Sequence, residues 1–321
     1  MNNYSWIQKT LHNLALSSQL MREVTYDVES SIMLPNDIEG ENVFVSGLAR
    51  SGTTILLNAI YESQEFASLS YADMPFILAP NLWSKINFNH QAEFHERAHG
   101  DGILINTESP EAFEEVFWRT FKDSDQDTRI KFKNYVNLIK FKNKKNRYLS
   151  KNNQNIKRLG SISDIFPESV ILVPFREPLQ HINSLISQHN KFLGKSKQDG
   201  FISDYMKWIG HTEFGPHYMP VSPKDLVYHD SKTANHWLEQ WYITYKNSLD
   251  ELKSKKNIYF LSYENLCENE ATWKNVLKII GITKEYTFDF KISRKNIAFQ
   301  YDTDLFNKAT DLYTQLQSES I

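Results

Sequence analysis

The sequence predicts an α/β protein: a P-loop-like parallel sheet flanked by helices. Three observations carry this. A short apolar run, Val43–Val45, enters a glycine loop with the spacing Gly47-x4-Gly52-Thr53-Thr54 and leaves as Ile55-Leu56-Leu57-Asn58-Ala59-Ile60. A continuous apolar run, Val170–Phe175, reads as a strand buried on both faces. Strand patterns alternate with helix patterns along the chain, the arrangement that yields a parallel sheet covered by helices.

The elements follow in order. Residues 4–24 read as one amphipathic helix, with Ile7, Leu11, Leu14 and Leu16 sharing a face. Residues 1–40 form a helical extension. The first strand is 42–46 and its helix 53–63. Ser109-Pro110-Glu111 opens a helix, with serine as N-cap and proline at the first position. Arg129 to Arg158 holds eleven lysines and arginines and no acid. Such a run is either a solvated face or a basic wall that draws an anion. Pro178 starts a helix through Leu179, Ile182, Leu185 and Ile186. Residues 190–235 lack periodicity and read as a substrate lid. His236–Leu252 is a helix with Trp237, Trp241 and Tyr245 on one face. Asn257–Leu261 is a strand, and Trp273–Ile280 a helix that stops at Gly281. The whole, 1–321, is expected to be a single domain.

Composition sets limits. A net charge of −3 over 321 residues suggests no bulk nucleic-acid binding. One cysteine, Cys267, allows no internal disulfide and fits a reducing compartment. The first residues lack a basic-then-apolar leader pattern, and no window approaches a membrane span. A cytoplasmic protein is the expectation, and a homo-oligomer is compatible with it.

The loop sets the chemistry. Its glycines let backbone wrap an anion at a helix N-terminus, with the N–H groups of Gly52 to Thr54 as donors. Thr53 stands where a kinase loop carries lysine, and Arg50 is gained. Both changes argue against ordinary ATP chemistry and for another phosphate-bearing donor.

Three segments resemble the sulfotransferases that use 3′-phosphoadenosine 5′-phosphosulfate (PAPS). Ala49-Arg50-Ser51-Gly52-Thr53-Thr54 resembles the 5′-phosphosulfate loop in its bacterial and Golgi-type arginine version. Phe175-Arg176-Glu177-Pro178, with Ser184 eight residues after the arginine, resembles the 3′-phosphate motif. Leu261-Ser262-Tyr263-Glu264-Asn265-Leu266 resembles the family's Tyr-Glu-Asp-Leu segment. The likeness spans 42 to about 280, with departures. The aromatic after Thr-Thr that stacks on adenine is Ile55, and Ser293-Arg294-Lys295 only loosely matches the C-terminal basic segment.

The resemblance implies PAPS as donor, PAP as product, no metal, and a hydroxyl acceptor on a carbohydrate or glycolipid. Arg50, Ser51, Gly52, Thr53, Thr54, Arg176, Ser184 and Tyr263 would bind the donor, with Arg50 also stabilising charge on the leaving phosphate. A general base is needed. Asp73 is the first candidate, because tyrosyl-protein members place a catalytic glutamate in that region; its alternative is a cap before Pro75. His99 is the second. His95 and His99 share a helix face, too few ligands for a metal site. Glu108 reads better as a helix-entry carboxylate. Trp83, Lys151, His211 and Glu213 are candidates for substrate contacts. Lys151 either assists the leaving group or belongs to the basic run, and His211, Glu213 and His217 either recognise substrate or form a polar loop. The competing readings are a P-loop kinase or nucleotide phosphotransferase, and a non-catalytic PAP-binding protein.

Overall fold

The computed structural model describes residues 6–86, 95–96, 104–105, 109–122, 126–196, 200–292 and 294–321. In chain order the elements are α1 (Trp6–Ser17), α2 (Gln19–Met33), β1 (Val43–Val45), α3 (Thr53–Tyr61), β2 (Phe66–Ala67), α4 (Pro80–Ser84), β3 (His95–Glu96), β4 (Leu104–Ile105), α5 (Glu115–Phe121), α6 (Gln126–Asn143) and β5 (Arg147–Lys151). They continue with α7 (Leu159–Ile165), β6 (Val170–Phe175), α8 (Pro178–Ser196), α9 (Gly200–Trp208), α10 (Ala234–Leu252), β7 (Ile258–Ser262), α11 (Tyr263–Glu268), α12 (Glu270–Ile279) and α13 (Thr303–Ser318). The class is α/β with parallel strands and flanking helices.

By its internal contacts the chain divides into two compact units. One holds Met1–Gly40, Gln64–Ser150 and Ser196–His211; the other holds Glu41–Ser63, Lys151–Lys195 and Thr212–Ile321. We call them the first and second units.

The second unit is built on β1, β6 and β7. β6 pairs in parallel with β1 (Val43↔Val170 to Val45↔Leu172) and with β7 (Ile171↔Ile258 to Phe175↔Ser262). Every residue of β1 and β6 is buried, as two-sided coverage by helices requires. Trp237, Trp241 and Tyr245 on α10 are fully buried. The Tyr245 hydroxyl donates to the Pro174 carbonyl at 2.9 Å and the Trp237 indole N–H to the Ser231 carbonyl at 2.8 Å, while the buried Trp241 indole nitrogen has no partner among the described residues. Gly281 takes a φ of +68° after α12, the left-handed stop that glycine permits.

The first unit pairs β2 with β5 in parallel and β3 with β4 antiparallel. Its core is aromatic. Phe117 stacks on Tyr135 at 5.2 Å, and Trp118 lies 4.3 Å from Phe132. Tyr26 of α2 meets Phe121 edge-on at 4.9 Å. The buried carboxylate of Glu29 accepts from the Asn81 and Leu82 N–H groups and the Asn81 amide, and so caps α4 from another helix.

Several expectations are corrected. The helix at 4–24 is two helices, because Ser18 caps α2 through Met21 N–H. Met1–Gly40 falls in the first unit, and Leu16 and Tyr26 are buried there. Ser109-Pro110-Glu111 does not start a helix. Pro110 bridges Ser70, Glu111 N–H donates to the Leu69 carbonyl, and α5 begins at Glu115. The tertiary pairing outweighs the local capping signal. The segment 190–235 is helical in part: α8 continues to Ser196, and α9 follows, with Phe201 edge-on to Trp208 at 6.1 Å, while 209–233 hold a single 3₁₀ turn, Gly215–His217. The boundary between units falls inside this segment. Cys267 is half-buried, and burial pushes its thiol up to about 11. Among the described residues no helix is long and apolar enough to cross a membrane.

Candidate active site

The loop after β1 is shaped by two glycines for different reasons. A Cβ on Gly47 would stand 2.8 Å from Ser51 Oγ and 2.9 Å from the Pro174 carbonyl, so only glycine lets the chain pass β6. Gly52 has a φ of +98°, and a Cβ there would lie 2.3 Å from the Tyr263 ring. Arg50 also takes a left-handed φ, +72°, uncommon for a residue with a side chain and a form of strain that recurs at functional sites. Gly52 is the N-cap of α3, and no side chain caps that end. An uncapped helix start with glycine approach is a place for an anion.

The second strand-to-helix turn brings cations to the same loop. Arg50 Nε donates to Ser184 Oγ at 3.2 Å, across 134 residues of sequence. Arg176 Nη1 donates to the Arg50 carbonyl at 3.3 Å. Arg176 is buried, its guanidinium 5.3 Å from the Tyr263 ring centre and its Nε 4.0 Å from Glu264 Oε1. Two guanidiniums thus converge on one loop, with the Glu264 carboxylate beside Arg176. Glu264 is itself committed: it accepts from Glu177 N–H at 3.1 Å and from the Tyr313 hydroxyl at 3.3 Å. The Tyr263 hydroxyl donates to the Lys291 carbonyl, leaving the ring as a wall for Gly52 and Arg176.

The two helix starts differ. Glu177 folds back, its carboxylate accepting from Leu179 N–H at 3.1 Å and Gln180 N–H at 2.7 Å. The N-terminus of α8 is therefore filled by its own chain. At α3, Thr53 Oγ1 donates to Asn153 Oδ1 at 3.1 Å, which braces the loop from the turn after β5. That turn is capped by Asn152, whose side chain accepts from Gln154 N–H and whose own N–H donates to the Val45 carbonyl. Lys151, at the end of β5, is buried.

His181 was not singled out from the sequence. It lies one turn into α8, fully buried, with Nε2 2.9 Å from the Ala49 carbonyl. A carbonyl only accepts, so Nε2 carries the proton and Nδ1 is bare; Nδ1 has no partner among the described residues. Burial first, then the charges of Arg176 and Arg50, push its pKa down to about 3, outweighing the Ala49 bond. His181 is a neutral strut that holds the loop one residue before Arg50. The only sequence signal was its position five residues after Arg176.

The other candidates separate. Asp73 lies in the first unit, in a single 3₁₀ turn. Its Oδ2 accepts from Ser70 N–H at 2.8 Å and lies 3.4 Å from the Ser70 hydroxyl, and its Oδ1 accepts from Lys142 Nζ at 2.6 Å. With the residue 1% exposed, both oxygens are spent. This is the capping arrangement named above as the alternative to a base. Trp83 donates its indole N–H to the Ala72 carbonyl and leans on Phe76, as a packing residue does. His211 is in the first unit, with Nε2 3.1 Å from the Ala112 carbonyl, while Glu213 is in the second and accepts from Gln154 at 3.2 Å. His99 and Glu108 lie outside the described residues, as does the side chain of His95.

Comparison with known proteins places the chain in a family. The model of the sulfotransferase family matches residues 42–213, more than half of the chain, from β1 past the Arg176 turn. Among solved structures, sulfotransferase STF1 from Mycobacterium tuberculosis H37Rv superposes with a TM-score of 0.53 at 9% identity, over 97% of this chain and 81% of that one. Sulfotransferase STF9 from Mycobacterium avium gives 0.48 at 10% identity, over 98% and 79%, and a sulfotransferase from Alicyclobacillus acidocaldarius 0.41 at 14%, over 88% and 94%. No curated protein matches the chain. At such identities the first of these speaks for the fold alone, while the family model matches more than half of the chain: the chain belongs to the sulfotransferase family.

Proposed function

We propose that the protein transfers a sulfuryl group from PAPS to an acceptor hydroxyl on a carbohydrate or glycolipid. The observation that carries this is the convergence of Arg50, Arg176 and Ser184 on the uncapped start of α3. The residues present fit the donor. Its 5′-phosphate suits a cradle from which Cβ atoms are excluded at Gly47 and Gly52, and its 3′-phosphate suits a second cationic site at a helix start closed to backbone binding. PAPS supplies the sulfuryl group and a phosphate leaving group; the chain supplies everything that holds them.

Gly52, Thr53 and Thr54 present backbone N–H groups to the 5′-phosphate. Arg50, held by Ser184 and by its own strained backbone, is positioned to offset charge that grows on the leaving phosphate, work worth several kcal/mol in a preorganised site. Arg176 grips the 3′-phosphate with a planar fork, and Tyr263 and Glu264 keep that fork aimed. No step in this scheme calls for a metal. For the base, the engagement of Asp73 with Ser70 and Lys142 favours His99 over Asp73.

The experiment is a thermal-shift series followed by turnover. PAP should raise Tm, and ATP with magnesium should not. PAPS should then be consumed with a glycan acceptor set. Stabilisation by ATP–magnesium with none by PAP would replace this reading with phosphotransfer. PAP binding without turnover on any acceptor would leave a binding protein.

A further inference from the structure

The first unit contains a cavity of about 810 Å³ that belongs to no motif discussed so far. It is lined where the ends of α2, α4 and α6 meet the turn into β5. Five lysines face it: Lys85, Lys140, Lys142, Lys144 and Lys145. Among the described residues no aspartate or glutamate lines it. Its apolar lining comes from Met33, Ile38 and Phe141, and Phe141 is 44% exposed although it is a large aromatic.

Lysines at the end of a helix ordinarily complement its dipole and point into solvent. Lys85 and Lys144 are exposed as that account expects, but Lys140 and Lys142 are not. Lys140 is 2% exposed, and its Nζ donates to the Ile38 carbonyl at 3.0 Å. Lys85 Nζ reaches only the Met33 sulfur, at 3.3 Å, a weak acceptor. Lys145 donates to the Gln64 carbonyl. Among the described residues only Lys142 has a carboxylate within ion-pair distance, Asp73. An ammonium has three donors, so each lysine bonded once retains capacity for another acceptor. Burying or clustering cations without counter-charge is costly, and the cost falls when an anion arrives. Lys140 registers it: burial lowers its pKa to about 8, against a smaller raising effect from Asp37.

We propose that this cavity is a binding site for an amphiphilic organic anion, with an oxyanion head among the lysines and an apolar body on Met33, Ile38 and Phe141. The head can be sulfate, sulfonate or carboxylate, which share the chemistry the ammonium groups read. The volume lies within the range of small-molecule sites, roughly 300–1,000 Å³. None of the lining residues takes part in the loop, Arg176 or Ser184, so this site and the PAPS reading stand or fall separately.

The test uses fluorescent probes on the whole chain. Anilinonaphthalene sulfonate carries the required head and body; N-phenyl-1-naphthylamine is nearly the same body without the head. The sulfonate should bind clearly more tightly, and added salt should weaken only the sulfonate. The double variant Lys85→Gln/Lys144→Gln alters exposed positions and should fold; it should weaken the sulfonate about tenfold, the scale of two charge contacts partly screened by solvent. Lys140→Gln should do the same if it folds. Arg176→Ala should leave probe affinity unchanged. Inorganic sulfate, hexanoate and hexyl sulfate as competitors then separate head from body, and both amphiphiles should outcompete sulfate. Equal affinity of the two probes, or an unaltered affinity in the folded double variant, overturns the proposal. Loss of the probe in Arg176→Ala alone overturns it as well, because the probe would then sit on the loop.

Discussion

Replacing His181 with glutamine isolates a pH effect that the fold builds beside the loop. Glutamine can place an amide N–H near the position of Nε2 and keep the Ala49 bond, but it does not titrate. In the native protein burial and two guanidiniums hold the His181 pKa at about 3, against 6.5 when unfolded. The folded value is depressed, so the unfolded chain binds the extra proton first. Above pH 6.5 neither state is protonated and the penalty is nil. As pH falls from 6.5 towards 3, only the unfolded state is protonated, and stability drops by about 1.4 kcal/mol per pH unit. The full difference, about 3.5 units, amounts to about 5 kcal/mol near pH 3. Urea unfolding from pH 8 to pH 4.5 measures it. At pH 8 the variant should be about 1 kcal/mol less stable, since its amide replaces the ring imperfectly. By pH 4.5 wild type should have lost about 2.5 kcal/mol relative to the variant, and the order should reverse. Bound PAP should flatten the wild-type slope, because its negative charge raises the folded pKa. Parallel curves for the two proteins at every pH would refute the reasoning, since they would mean that His181 titrates alike in both states.

Further consequences can be measured directly. Gly52→Ala should cost about 2–5 kcal/mol, combining a left-handed φ with a Cβ 2.3 Å from the Tyr263 ring; Tyr263→Ala should restore only the steric part, read by unfolding of the double variant. Arg176→Ala should weaken PAP by about 2–4 kcal/mol in calorimetry, the scale for losing a charge-assisted contact to phosphate. Asp73→Asn should lower stability by about 2–4 kcal/mol by breaking the Lys142 pair and weakening the turn at Ser70, with turnover kept. If the variant instead keeps its stability and loses about 10²–10⁴ in rate, Asp73 is the base.

What could be read from the chain follows the range of the forces involved. β1, β6 and β7 were legible because a strand covered on both faces is a continuous apolar run. α10 was legible because its tryptophans repeat at helical spacing. The loop was legible because glycine, arginine and threonine at fixed spacing act locally. The break at Ser18 was hidden, because the apolar periodicity runs on through it while one hydroxyl stops the helix. The division into units was hidden too. It depends on contacts between residues about a hundred apart, such as Tyr26 with Lys131. At the site, the arginines and Ser184 could be named, but not what fixes them. Glu264 supports the Arg176 turn through Glu177 N–H, 87 residues away, and although its segment was recognisable, nothing local tells which turn it braces. Asp73 shows the opposite hazard: a carboxylate in a suggestive place whose oxygens turn out to hold its own backbone and a lysine.

The contrast between the start of α3, left open, and the start of α8, closed by Glu177, bears on how such a protein can change over generations. Where main-chain N–H groups do the gripping, most side chains can be exchanged without losing the anion, but one inserted or deleted residue shifts every donor at once. Where, on the proposed reading, Arg176 and Ser184 do it, the reverse holds: the turn can lengthen nearby and be rescued, yet a single base change can erase or create the contact. New preferences for the donor should therefore arise by substitution around Arg176, and variation in length should be rare between Gly47 and Thr54.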